Sequence, residues 1–249
     1  MADNFLKLND EKTELLFLGS SRNLSKLTIE SVQVGETQVK SSNHVRNIGA
    51  TFDPNLKMEQ QVSVTCKSAW YSLFQIGKIR PYITQDETKS IVHAYITSKI
   101  DQNNSLLIGC PDHLTAKLQK VQNAAAKIIF KAKKYDHVTV LLKDLHWLPA
   151  SKRIIFKVLL LCYKALHDEG PQYLKDLLKW HTPSRVLRSS NEHLLVIPKT
   201  KLKSFGDRAF SVAAPRLWNS LPLTLRRSAS TDAFKRNLKT FLFKEVYDC

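Results

Sequence analysis

Apolar and polar residues alternate through Thr28-Ile29-Glu30-Ser31-Val32-Gln33-Val34, the period of a half-buried strand. Gly35-Glu36-Thr37 supplies the turn that would fold this strand onto residues 38–41 as a hairpin. Further strands are expected over residues 13–18 and 45–53, the first followed by a turn at 20–23, the second ended by Pro54. Residues 4–12 read as helix or turn.

Beyond Pro54 the period changes to that of a helix. A first helix is expected over residues 58–79, ending near Arg80-Pro81. Thr84-Gln85-Asp86-Glu87 fits a capping box, in which the threonine side chain accepts from the backbone three residues on while the glutamate reaches back. The helix it opens should run to about residue 99. Asp112, after Pro111, is placed to cap a third helix over roughly 112–134. Shorter helices are expected over 137–145 and 172–180, and a longer one over 152–167 that Gly170-Pro171 stops. Residues 181–204 lose periodicity apart from a short strand at 194–197. Two last helices, 206–217 and 230–247, are set apart by Pro215 and Pro222. The expected fold class is α+β, mostly α: a small β-rich piece, a helical body and a basic helical tail.

Composition changes this picture in one respect. Hydrophobic residues at 43% and charged residues at 24% are ordinary for a globular chain, but a net charge of +16 is not. Residues 1–100 carry 12 Lys/Arg against 10 Asp/Glu, and residues 101–249 carry 26 against 12. A basic excess of this size points to an anionic partner, nucleic acid above all. Cys66, Cys110, Cys162 and Cys249 lack Cys-x-x-Cys spacing and read as free thiols in a reducing compartment. The longest apolar run, Val158 to Tyr163, is far too short to span a bilayer, and no signal-peptide core opens the chain. A soluble intracellular protein of the nucleus, the cytoplasm or both is therefore expected, with no membrane partner.

The third helix concentrates the charge. Lys117, Lys120, Lys127, Lys131 and Lys134 fall on one helical face, while Leu114, Leu118, Val121, Ala125, Ile128 and Ala132 fall on another. Gln119, Gln122 and Asn123 lie beside the lysines as neutral donors. Lysines at successive turns can follow a phosphate backbone, giving charge rather than base readout. The same pattern also describes a solvated lysine face, and both readings stand. No acid interrupts the row from Lys117 to Lys134, and its self-repulsion favours a polyanion.

Several blocks carry a family resemblance. Leu8-Asn9-Asp10-Glu11-Lys12-Thr13-Glu14 before an apolar stretch resembles the part of a reverse-transcriptase palm just after its metal-binding Asp-Asp motif. Val45-Arg46-Asn47-Ile48-Gly49-Ala50-Thr51-Phe52-Asp53 is similar to the primer-grip hairpin closing the palm of non-LTR retrotransposon polymerases. Downstream, Ser105-Leu106-Leu107-Ile108-Gly109, Leu145-His146-Trp147-Leu148-Pro149, Gly206-Asp207-Arg208-Ala209-Phe210 and Ala214-Pro215-Arg216-Leu217-Trp218-Asn219 resemble the tail of the same reading frame, in the same order. Chicken-repeat and jockey-like LINE elements are the nearest group. Ile100-Asp101-Gln102-Asn103-Asn104 and Val140 depart from the family pattern.

The resemblance implies a palm remnant with a primer-grip-like hairpin over 1–54, a helical thumb-like domain over 55–180, a basic linker or ordered loop over 181–204 and a helical extension over 205–249. It implies a parent that copies RNA into DNA with two magnesium ions on palm aspartates. This sequence contains no Asp-Asp pair, so the chain itself is expected to be inactive, without a cofactor, and to keep only the grip on template–primer. Upstream palm and fingers would be partners if it is part of a longer chain. Lys12 matches a lysine proposed to protonate the leaving pyrophosphate, or it is a solvated turn residue. Arg46 and Asn47 would touch the primer strand, or are polar residues of an edge strand. Arg185 and Arg188, beside Ser189-Ser190, could meet phosphate. His146-Trp147 and Trp218 read as packing corners, with base stacking as the alternative. No metal spacing is present. RNA, an RNA–DNA hybrid or DNA is the expected partner. The alternative is a non-enzymatic nucleic-acid-binding or scaffold protein derived from such an element, or a decayed remnant of one.

Overall fold

The computed structural model describes residues 9, 12–182 and 192–247. It is α+β and mostly α, and it divides into two compact units, one up to Thr65 and one from Cys66.

The first unit begins with a four-residue helix, α1 (Ser21–Leu24), whose cap Ser20 accepts from the Asn23 N–H. Two antiparallel hairpins follow: β1 (Ser31–Val34) with β2 (Thr37–Lys40), and β3 (Val45–Asn47) with β4 (Ala50–Phe52). Val32 faces Val39 in the first pair, and Arg46 faces Thr51 in the second. Residues 45–53, one strand by period, fold as a hairpin, the form that the resemblance implied, because Ile48 and Gly49 both take positive φ, +46° and +78°, which reverses the chain in two residues. Residues 13–18 form no strand; a single bridge joins Leu15 to Ser41. Asp53 prepares the next helix, accepting from the N–H groups of Lys57 (2.7 Å) and Glu59 (3.2 Å).

The long helix α2 (Glu59–Ile79) begins in this unit and continues in the second. Its Gln61 side chain, buried, accepts from the Thr51 N–H at 2.8 Å. A short 3₁₀ turn leads from α2 to α3 (Gln85–Val92), and here the capping box is present as expected. The Thr84 N–H donates to Glu87 Oε2 at 2.7 Å and Thr84 Oγ1 accepts from the Glu87 N–H at 3.3 Å. The Thr84 N–H and the Thr84 hydroxyl (2.8 Å), both donating to Glu87 Oε2, hold the Glu87 carboxyl below the usual range. A π turn, His93–Thr97, links α3 to α4 (Ser98–Asp101), so the helix expected to about residue 99 persists with a local widening.

The body continues with α5 (Asp112–Phe130), α6 (Val138–Asp144), α7 (Ala150–Leu166) and α8 (Gln172–Lys175). Asp112 does not cap α5; it is the first helical residue, where its charge still complements the positive end of the helix. The basic tail folds as α9 (Lys203–Gly206), α10 (Phe210–Asn219), α11 (Leu223–Arg226) and α12 (Thr231–Tyr247). Pro215 does not divide a helix as expected: α10 runs through it, with Pro215 buried and only one backbone bond forgone.

The second unit is organised around α7, against which α5, α8, α10 and α12 pack. Its core holds Tyr163, Trp218 and Phe234, all buried, with Tyr163 stacked on Phe234 at 4.3 Å between ring centroids. Tyr163 donates its hydroxyl to the Ser228 carbonyl (2.8 Å), and Trp218 Nε1 donates to the His193 carbonyl (2.9 Å). The strand expected over 194–197 is reduced to one bridge, Trp180 to Leu195. Cys66, Cys110 and Cys162 are buried and free, and burial pushes each thiol up, Cys162 most strongly.

Arg80 fastens the end of α2 to α5. Its guanidinium donates to the carbonyls of Ile128 (2.9 Å) and Ile129 (2.8 Å) in the last turn of α5, and to Ile83 (2.9 Å). A cation at this end meets both the unsatisfied carbonyls and the negative pole of the helix. Arg80→Ala is expected to lower stability by about 2 kcal/mol, read as a lower urea midpoint in circular dichroism. Lys should recover only part of this, since it lacks the planar fork.

Candidate nucleic-acid interface

Lys117 and Lys120 stand exposed on the outer side of α5, opposite Leu114, Leu118, Val121 and Ala125, which are buried. Neither has an ion-pair partner among the described residues. Lys127 shares their side but is half-buried, and its ammonium donates to the Lys134 carbonyl. The helix ends sooner than expected. Lys131 takes the left-handed conformation (φ +51°), its N–H bonds to the Ile128 carbonyl, and the Ala132 N–H bonds to the Lys127 carbonyl. Lys131 and Lys134 therefore lie beyond the helix, and Lys134 Nζ sits 5.5 Å from the centre of the Tyr135 ring. The expected row of five lysines on one helical face is corrected to three, two of them unengaged.

The neutral residues beside the lysines are also corrected. Gln122 is buried, and its Nε2 donates to the Leu148 carbonyl at 2.8 Å. Gln119 accepts from the Ala150 N–H at 2.8 Å, supplying the cap that Pro149 cannot give to α7, and its own amide donates to Asn123. These amides hold the α6–α7 connection onto α5. Ile128 and Ala132, assigned to the buried stripe, are only half-buried, while Ala126 and Ile129 take the buried positions.

A second basic face lies on α2, and the sequence pattern did not single it out. Lys67, Trp70, Tyr71, Phe74 and Lys78 follow spacings of three, one, three and four, and all are exposed. Trp70, Tyr71 and Phe74 are 46%, 67% and 62% exposed, large values for aromatic rings. Lys78 Nζ lies 4.4 Å over the Phe74 ring. On the opposite side of the helix Ala69, Leu73 and Ile76 are buried. Lys117 is near enough to Cys66 to draw its thiol down against the stronger upward push of burial. Arg80, just after α2, meets the last turn of α5 through the carbonyls of Ile128 and Ile129. Rings with π faces between ammonium groups are the composition of a sequence-tolerant single-strand platform.

The remaining expected residues are dispersed. Lys12, exposed, sits in a turn closed by its own N–H donating to the Asn9 carbonyl at 3.2 Å. Arg46 and Asn47 are exposed on β3. Both belong to the first unit. Arg185 and Arg188 lie outside the described residues. Trp218 is a packing corner, whereas Trp147 is half-buried and the exposed His146 ring tilts against Phe243 at 5.6 Å. No group of three or more His, Cys, Asp or Glu that could hold a metal ion is gathered among the described residues. No described helix is long and apolar enough to cross a membrane. No family model matches this sequence, and no curated protein or solved structure matches it.

Proposed function

We propose that this chain grips the backbone of RNA, an RNA–DNA hybrid or DNA, as the thumb-side part of a non-LTR retrotransposon reverse transcriptase. The role is gripping rather than catalysis, because the sequence has no Asp-Asp pair to hold the metals of polymerisation. The observation that carries the reading is the pair of lysines on α5, Lys117 and Lys120, exposed and without an ion-pair partner among the described residues; α2 adds a second exposed face of cations and rings from Lys67 to Lys78. Ammonium groups supply contacts to phosphate, and Trp70, Tyr71 and Phe74 supply stacking for unpaired bases.

Fluorescence anisotropy with a labelled single-stranded RNA and with an RNA–DNA hybrid, over a range of KCl concentrations, tests it. Three to five phosphates neutralised give a slope of log K against log salt of about −2 to −4. A slope near zero overturns the proposal.

A further inference from the structure

A cavity of about 320 Å³ lies in the second unit, away from the outer faces of α2 and α5. Five segments build it: the π turn, the corner at residues 101–104, the α6–α7 connection, the outer side of α7, and α12, which contributes Lys239. Hydrogen bonds fix its rim. Tyr247 donates its hydroxyl to the Trp147 carbonyl at 2.9 Å, and Gln122 holds the Leu148 carbonyl at 2.8 Å. A π turn is a rare distortion that recurs at functional sites, and here His93 and Thr97 from that turn line the cavity.

Charge decides what such a cavity would take. Its one carboxylate, Asp101, is consumed by Arg153 in a two-pronged pair, Nε to Oδ1 at 2.8 Å and Nη2 to Oδ2 at 2.5 Å. Lys157 and Lys239 remain, with no ion-pair partner among the described residues, and the imidazoles of His93 and His146 add ring nitrogens. Asn104, 2% exposed, also lines the cavity; its amide donates to Asp101 at 3.3 Å while its carbonyl oxygen lacks a hydrogen-bond partner. Trp147 and Phe156 form apolar walls. The volume is at the small end of ligand pockets, about 300–1,000 Å³.

We infer that this cavity is a binding site for a nucleoside phosphate, its phosphate on Lys157 and Lys239 and its ring against Trp147. The shared chemistry admits two sources, a free nucleotide or the phosphorylated end of a strand. The site is independent of the lysines on α5.

The test is calorimetric titration of the full chain with ADP, with adenosine and with inorganic pyrophosphate, alongside Lys157→Ala/Lys239→Ala and Lys117→Glu/Lys120→Glu. The expected result is saturable ADP binding that weakens about tenfold or more in the first double variant and is unchanged in the second. Trp147→Phe, which keeps an aromatic wall, should bind ADP with a changed fluorescence response. ADP binding that is absent up to about 1 mM, equal to that of adenosine, or insensitive to Lys157 and Lys239 overturns the inference. Competition then separates the sources: a 5′-phosphorylated oligonucleotide that displaces ADP, where its 5′-hydroxyl twin does not, supports strand-end recognition, and displacement by neither supports a free nucleotide.

Discussion

Lys117→Glu with Lys120→Glu is expected to weaken binding to single-stranded RNA by about 30- to 100-fold near physiological salt, the sum of two lost phosphate contacts and two new repulsions. The salt slope should become shallower by about 0.7–0.9 for each lysine that contacts a phosphate. Both side chains are exposed and break no ion pair on replacement, so the variant should fold. Reversal even relieves repulsion along α5. The urea midpoint is the control, and a stability change within about 0.5 kcal/mol is expected for such surface substitutions. Lys127→Glu is a poorer probe, because it also removes the bond to the Lys134 carbonyl that steadies the chain after the helix. Affinity unchanged in the double variant, with the wild type showing a steep slope, would move the contact to the α2 face or to the arginines at 185 and 188.

Trp218→Ala is expected to destabilise the second unit by about 3–5 kcal/mol, the usual cost of emptying a buried indole site. Trp218 is wholly buried, and its ring centroid lies 6.5 Å from that of Tyr163 and 6.0 Å from that of Phe234. Its loss opens a void among rings that hold α7, α10 and α12 together, and it frees the His193 carbonyl. The neighbouring Asn219 pairs both ways with Leu195, accepting from its N–H and donating to its carbonyl at 2.8 Å each, so the 193–195 segment depends on α10 for its place. Such a cost is a large share of the roughly 5–15 kcal/mol that keeps a domain folded. Urea denaturation followed by far-ultraviolet circular dichroism measures it. A midpoint close to that of the wild type would mean that the surrounding rings collapse into the void. Trp218→Phe keeps most of the packing and isolates the bond to His193.

The helices were largely legible because their stabilisation is written in period. A stripe of buried residues every three or four positions predicts α2, α5, α7 and α12, and the Thr84–Glu87 box marks the start of α3 without ambiguity. Reversals were harder. Ile48 at positive φ is a β-branched residue where steric preference argues against one, so period alone reads 45–53 as one strand, and only the resemblance implied that it folds back on itself. It is 92% exposed, and the hairpin accepts that conformation because Gly49 follows and no packing opposes it. The end of α5 failed for a related reason: Lys131 occupies a left-handed position usually marked by glycine, so the lysine pattern continued past the point where the helix stopped.

The candidate interface was half legible. Lysines on α5 announce themselves because nothing apolar competes for their face. Aromatic residues do not, since Trp70, Tyr71 and Phe74 in an amphipathic pattern are read by default as core. Only packing reveals that Ala69, Leu73 and Ile76 already fill the buried side of α2. Gln122 failed in the opposite direction, a polar residue assigned to solvent that the carbonyl of Leu148, 26 positions away, draws inside.

The three interior thiols give this molecule a set of chemical reporters that need no engineering. Cys66 lies on α2, Cys110 just before α5 and Cys162 within α7, and each is held in the unreactive protonated form by its surroundings. A disulfide reagent can modify such a sulfur only while the chain around it is open. The order in which the three are trapped, followed by mass spectrometry under native conditions, therefore ranks how often each region of the second unit breathes, and shows whether a bound polyanion or nucleotide quiets α2 and α5 before it quiets α7.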